Sequence, residues 1–168
     1  MFDLKTSTLK FVVPVVGQDP KAPFTVEHGC CSEADRVSLK REQTHLASAY
    51  QRNISKHRIA IERNDDQSEA ALNQRIEIAD AVEELTERYL ENLADSHVRF
   101  AMPHVVQLHN VTSGGEVITW SVTRLEELGI SREVVLRSLG MGSEERRRNL
   151  QALCEQIIGG LSATEKND

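Results

Sequence analysis

Six histidines (His28, His45, His57, His97, His104 and His109) and three cysteines (Cys30, Cys31 and Cys154) are the side chains of this 168-residue sequence best suited to a metal site or a nucleophile. Zinc needs ligand pairs that one turn or helix brings to the ion together, as in C-x-x-C or H-E-x-x-H. Here Cys30 and Cys31 are adjacent, Cys154 is remote, and no histidine pair has that local pattern. An odd separation between His104 and His109 would send them to opposite faces of a strand. Three cysteines with one vicinal pair make no disulfide framework, so reduced thiols are expected. No G-x-S-x-G nucleophile turn occurs. Ser113, Gly114 and Gly115 are too short a run to cradle a phosphate, and Gly140, Met141 and Gly142 lack the lysine such a loop uses. These glycines read as turn residues. The sequence predicts no catalytic residue, no metal ligand and no cofactor, and a non-enzymatic role.

Composition narrows the class further. Hydrophobic residues make up 39% and charged residues 27%, with four Phe, two Tyr and one Trp. No apolar run approaches the roughly 20 residues of a membrane helix, and Met1 to Lys5 lacks the basic flank of a signal peptide. A soluble cytoplasmic protein with no membrane partner is expected. The net charge of −6 argues against phosphate binding by the whole surface and leaves room for a local basic patch.

Hydrophobic periodicity predicts an α+β fold, mostly α, in three zones that form one domain with an extended hairpin. Residues 1–31 form an N-terminal β segment. A β-branched run over 9–16 and a second over 23–28 flank a turn at Gly17, Gln18, Asp19 and Pro20, which reads as a β-hairpin. Pro14 withholds a donor and marks the first strand as an edge or bulge. Because an isolated hairpin is marginal, this segment should pack on helices, pair with another strand or add to a partner's sheet.

Residues 32–97 contain no Gly or Pro and read as a long antiparallel helical hairpin with a coiled-coil-like rhythm. Ser32 is the natural N-cap. Leu39, Leu46, Tyr50, Ile54 and Ile61 form the stripe of the first arm; Leu72, Ile78 or Ala79, Val82, Leu85, Tyr89 and Leu93 form that of the second. Asn64, Asp65, Asp66, Gln67 and Ser68 supply the reversal. The first arm is basic, with seven Lys and Arg against two Glu over 36–63, and the second acidic, with ten acids against two Arg over 65–95. Side by side, the arms are expected to attract across their flanking positions.

Residues 98–168 form a small strand cluster and a C-terminal helical unit. Short strands are expected over 98–103, 104–109 and 116–122, with a turn over 112–115. Helices follow near 123–128, 131–139 and 143–159, with Ser131 and Ser143 as caps and a frayed tail from Leu161.

Three resemblances bear on function. Residues 123–140, with Leu128, Gly129, Ile130, Ser131 and Arg132 at the turn, resemble the helix-turn-helix of bacterial and phage regulators, which implies Ser131, Arg132 and Arg137 facing a DNA groove. The same segment also reads as a structural helix pair. The opening residues 2–27, with Phe11 to Pro20 and then Pro23, Phe24, Thr25 and Val26, together with residues 150–161, resemble the tail assembly chaperones of long-tailed phages. That resemblance implies a non-enzymatic protein that binds the apolar tape-measure protein, or another phage structural protein, in the cytoplasm of a bacterial host. A long hairpin followed by residues 115–122 and 125–129 is similar in order to the Gam family, which sheathes DNA ends.

The leading expectation is therefore a protein-binding assembly protein, above all a phage tail assembly chaperone. Its candidate contacts are Phe11, Val13, Val15, Tyr50 and Tyr89, each also readable as plain core. An apolar stripe left exposed on the hairpin would imply a homo-oligomer. The alternative is DNA binding through Ser131, Arg132 and Arg137, helped by the basic arm.

Overall fold

A computed structural model describes residues 8–13, 21, 23–62, 68–113, 116–118, 129, 131–140 and 143–164. Its elements are β1 (Leu9–Val12), β2 (Thr25–His28), α1 (Glu33–Glu62), α2 (Glu69–Ala101), β3 (Val105–His109), β4 (Val111–Ser113), β5 (Glu116–Ile118), α3 (Arg132–Gly140) and α4 (Glu144–Thr164). The fold is α+β and mostly helical, as the periodicity predicts.

Serine hydroxyls start the helices. The Asp35 N–H donates to Ser32 Oγ at 3.2 Å while the Ser32 N–H donates back to Asp35 Oδ2 at 3.0 Å, a reciprocal cap on α1. Ser68, Ser131 and Ser143 accept from Ala71, Val134 and Arg146 at 3.2–3.3 Å. Each such cap satisfies an orphan donor and contributes about 1 kcal/mol.

α1 and α2 pack antiparallel as the long hairpin. Only two helices thick, their seam leaves Leu46, Tyr50, Ile54, Val82, Leu85 and Leu93 half-buried. The deep core lies elsewhere, where the last turns of α2, the sheet, α3 and α4 converge. Val98, Ala101, Val26, Val105, Leu108, Leu136, Leu150, Leu153 and Ile157 are all buried there.

β1, β2 and β3 form one antiparallel sheet in that order, so the N-terminal hairpin pairs with a third strand, one of the outcomes its marginal size demands. The register runs Leu9 to His28 and Val12 to Thr25 on one side of β2, and Val26 to Leu108 on the other, with a bulge between Glu27 and His28. β4 and β5 pair separately. Asn110, at φ 58°, takes the left-handed corner between β3 and β4, and its amide donates to the Pro23 carbonyl at 3.0 Å.

Several local expectations need correction. Residues 98–101 are the end of α2, not a strand, because Ala94, Val98 and Ala101 continue the helix's buried stripe into the deep core. Helix α2 ends two residues before Pro103, and the Met102 N–H caps it on the Val98 carbonyl at 2.9 Å. The turn expected over 112–115 is in part strand, since Val111–Ser113 is β4. The closing helix reaches Thr164 and so takes in the start of the expected tail. Gly140 is no turn residue: it ends α3 and packs against Leu150. Strand residues 14–16 and 119–122, the hairpin reversal at 64–67 and the helix expected over 123–128 lie outside the described residues.

Candidate functional site

Among the described residues, the outer edge of β1 is where the backbone offers unused bonds. The Val13 N–H donates to the Phe24 carbonyl at 2.9 Å, so the narrow, hydrogen-bonded pairs of the ladder are Val13 with Phe24, Phe11 with Val26 and Leu9 with His28. Alternation then turns the N–H and C=O groups of Lys10 and Val12 away from β2. Among the described residues no strand pairs with that side. Val12 is 52% exposed on one face of β1 and Leu9 38% on the other, the face on which Val13 is 1% exposed and Phe11 half-buried against the core. Of the candidate contacts, then, Phe11 and Val13 anchor the strand rather than present it. Val15 lies outside the described residues. Lys10 and Val12 are the groups that sequence reasoning missed, and Pro14 was the signal that could have pointed to them.

One face of the sheet carries a polar chain. His109 Nε2 donates to Glu27 Oε2 at 3.0 Å, and the Thr8 hydroxyl donates to the other carboxylate oxygen. These bonds, that of Thr8 foremost, hold the Glu27 carboxyl below its ordinary range. The opposite face is buried on α4, where His28 donates from Nδ1 to the Gly29 carbonyl at 2.9 Å and meets the Gln156 amide at 3.2 Å.

Tyr50 and Tyr89 stack on each other across the hairpin, with ring centroids 4.5 Å apart and planes 16° apart. The Thr86 hydroxyl donates to the Val82 carbonyl at 2.8 Å, so its oxygen accepts from Tyr50 at 3.0 Å. Both rings belong to the seam. At the root of the hairpin the Gln43 amide donates to His97 Nε2 at 2.9 Å, a bond only the neutral imidazole accepts, and burial pushes the His97 pKa down. A cleft of about 250 Å³ beside it is lined by Asp35, Leu39, Glu42, Arg99, Phe100 and His104. Its charges are spent locally, Glu42 on Arg99 and Asp35 on the α1 cap.

The three DNA candidates hold structural posts. Ser131 caps α3, Arg132 donates to the Val105 carbonyl on the outer edge of β3 at 2.8 Å, and Arg137 bonds both Glu133 and Asp95. The cysteines are no better placed for chemistry. Burial raises the Cys31 thiol and pushes Cys154 up to about 12, away from the thiolate. Among the described residues no group of three or more His, Cys, Asp or Glu is arranged to hold a metal ion, and no helix is long and apolar enough to cross a membrane.

The charged arms do not neutralise each other as expected. At about 100° per residue, two positions carry a side chain roughly 200° round a helix. Arg52 and Lys56 follow seam residues Tyr50 and Ile54 by two, and Asp80, Glu84, Glu87 and Glu91 so follow Ile78, Val82, Leu85 and Tyr89. All six charges are exposed. The hairpin is thus basic on the outer side of α1 and acidic on the outer side of α2. Among the described residues, an ion pair that does join the arms, Glu42 with Arg99, has the reverse polarity.

Comparison of the chain with protein-family models, with curated proteins and with solved structures yields no match.

Proposed function

We propose that this chain is a non-catalytic assembly protein that binds an extended apolar segment of a client protein by adding it as a fourth strand beside β1. The observation that carries this reading is the edge of β1 that no strand pairs among the described residues, where Lys10 and Val12 turn their backbone groups outward and Leu9 and Val12 expose apolar side chains. Strand addition takes affinity from main-chain bonds and selectivity from alternate side chains. Buried Val13 and half-buried Phe11 anchor the receiving strand on the core, which lowers the ordering cost of binding. An edge of this kind is an aggregation hazard that proteins ordinarily blunt, as exposed Lys10 and the following Pro14 do here; a client strand would cover what remains.

The resemblance of residues 2–27 and 150–161 to tail assembly chaperones supports the same reading and supplies the client class, an apolar tape-measure or other phage structural protein. β1 lies inside the first of these stretches. Co-expression with an aggregation-prone tape-measure segment should raise that segment's soluble fraction. Lys10→Pro with Val12→Pro should remove the gain: proline deletes the outward N–H groups at positions where an edge strand tolerates it. Unchanged rescue by the double variant, with the fold intact by circular dichroism, would refute docking at this edge.

A further inference from the structure

We infer that the hairpin is a charge-polarised surface that takes a second copy of this chain, the basic side of α1 in one molecule seating on the acidic side of α2 in the next. This stands apart from the client reading and uses none of the residues of β1. The two stripes match in length. Arg41 and Lys56 are 15 positions apart and Glu77 and Glu91 are 14, about 22 Å and 21 Å at the rise of an α-helix. They match in exposure: Arg41, Arg52 and Lys56 on one side and Glu77, Asp80, Glu84, Glu87 and Glu91 on the other are all solvent-facing. A shallow groove of about 640 Å³, lined by Val37, Lys40, Arg41, His45 and Arg52 among others, runs along the basic side and gives a neighbouring helix a seat.

Geometry then decides the symmetry. The basic and acidic stripes lie on opposite sides of a two-helix slab, so a two-fold dimer cannot bring both of its basic stripes onto acidic ones. A contact between unlike surfaces is heterologous, and it propagates into a ring or an open stack. Internal pairing leaves both stripes available. Within the hairpin Arg36 pairs with Glu33, Arg88 with Glu84 and Arg99 with Glu42, so of the stripe residues Glu84 alone has an internal ion pair among the described residues. Exposed pairs of this type are weak one by one and are screened as salt shortens the Debye length to about 8 Å at physiological strength. Association should accordingly be strong only at low salt.

Sedimentation velocity on the full chain tests this. The wild type should form species larger than a dimer at about 20 mM NaCl and dissociate at about 500 mM, where the Debye length falls to a few ångströms. Arg52→Glu with Lys56→Glu should be monomeric at low salt, and so should Glu84→Lys with Glu87→Lys. An equimolar mixture of the two variants should recover assembly, since the unaltered sides still match and the two reversed sides complement each other. A monomeric wild type at low salt would overturn the inference, as would single-side variants that assemble like wild type. A monomer that instead retards duplex DNA through Arg52 and Lys56 would assign the basic stripe to nucleic acid and overturn it equally.

Discussion

Replacing Gly140 by alanine sets two terms of opposite sign against each other. Alanine is the better helix former by about 1 kcal/mol, and less at a terminal position. Against that, a Cβ on Gly140 would run into Leu150 Cδ2 well inside van der Waals contact and lie 3.4 Å from Leu150 Cβ. Leu150 is fully buried, and Leu136, Leu153 and Ile157 of the same core are equally without exposure, so the methyl has little room to retreat. Overpacking of this kind costs about 1–3 kcal/mol. The balance is a loss of about 1–2 kcal/mol, or a fall of about 3–6 °C in Tm for a chain of this size. Gly159 is the control: it lies in α4, exposed, with nothing within 4 Å of an added methyl, so Gly159→Ala should gain about 0.5–1 kcal/mol. Urea unfolding followed by circular dichroism reads both. If Gly140→Ala stabilised as much as Gly159→Ala, the close packing of α3 on α4 would be refuted.

Further outcomes follow from the hairpin and the sheet. A double-mutant cycle on Tyr50→Ala and Tyr89→Ala should return a coupling of about 0.5–1.5 kcal/mol from the stacked pair; additive losses would remove the stack from the seam. Arg132→Ala should cost about 1 kcal/mol in denaturant titrations, because the Val105 carbonyl loses its donor, and an unchanged midpoint would show that water replaces it. His97 and His104 are both held below the ordinary histidine value of 6.5, chiefly by burial. The unfolded chain therefore takes up these protons first, and stability should fall as pH drops below about 6.5. His97→Gln should flatten that decline in Tm measured from pH 7.5 to 5, and an equal slope would contradict the neutral, Gln43-bonded ring. Glu27 and Asp35, held below their ordinary values by hydrogen bonds, act in a separate window, losing their contribution only as pH falls below about 4.5.

Much of this molecule is readable locally. Ser32, Ser131 and Ser143 announce their helices because a cap is a contact over three residues, and Pro14 marks an edge because a missing donor is intolerable in a central strand. The hairpin seam follows from apolar spacing over Leu46 to Ile54 and Val82 to Leu93, whereas Leu72, expected in the same stripe, is 50% exposed. What failed needed contacts distant in sequence. Val98 and Phe100 look like strand residues until α4 supplies the buried surface that keeps them helical. Gly140 looks like a turn residue because nothing nearby reveals Leu150. The charge difference between the arms was plain, but a sum carries no direction. The offset of two residues from the seam, which points Arg52 and Glu84 away from each other, was present in the sequence and became informative once the seam's phase was known. Among the candidate sites, Tyr50, Tyr89, Arg132 and Arg137 all bear on packing, and the open groups of Lys10 and Val12 emerged only with the register of β1 on β2.

Amide hydrogen exchange by NMR tests the open edge of β1 most directly. In the free chain the Phe11 and Val13 amides should be protected and those of Lys10 and Val12 should exchange quickly. With a bound tape-measure segment, Lys10 and Val12 should become protected while Phe11 and Val13 stay as they were. Slow exchange at Lys10 and Val12 in the free chain, or no change when the client binds, would contradict strand addition at this edge.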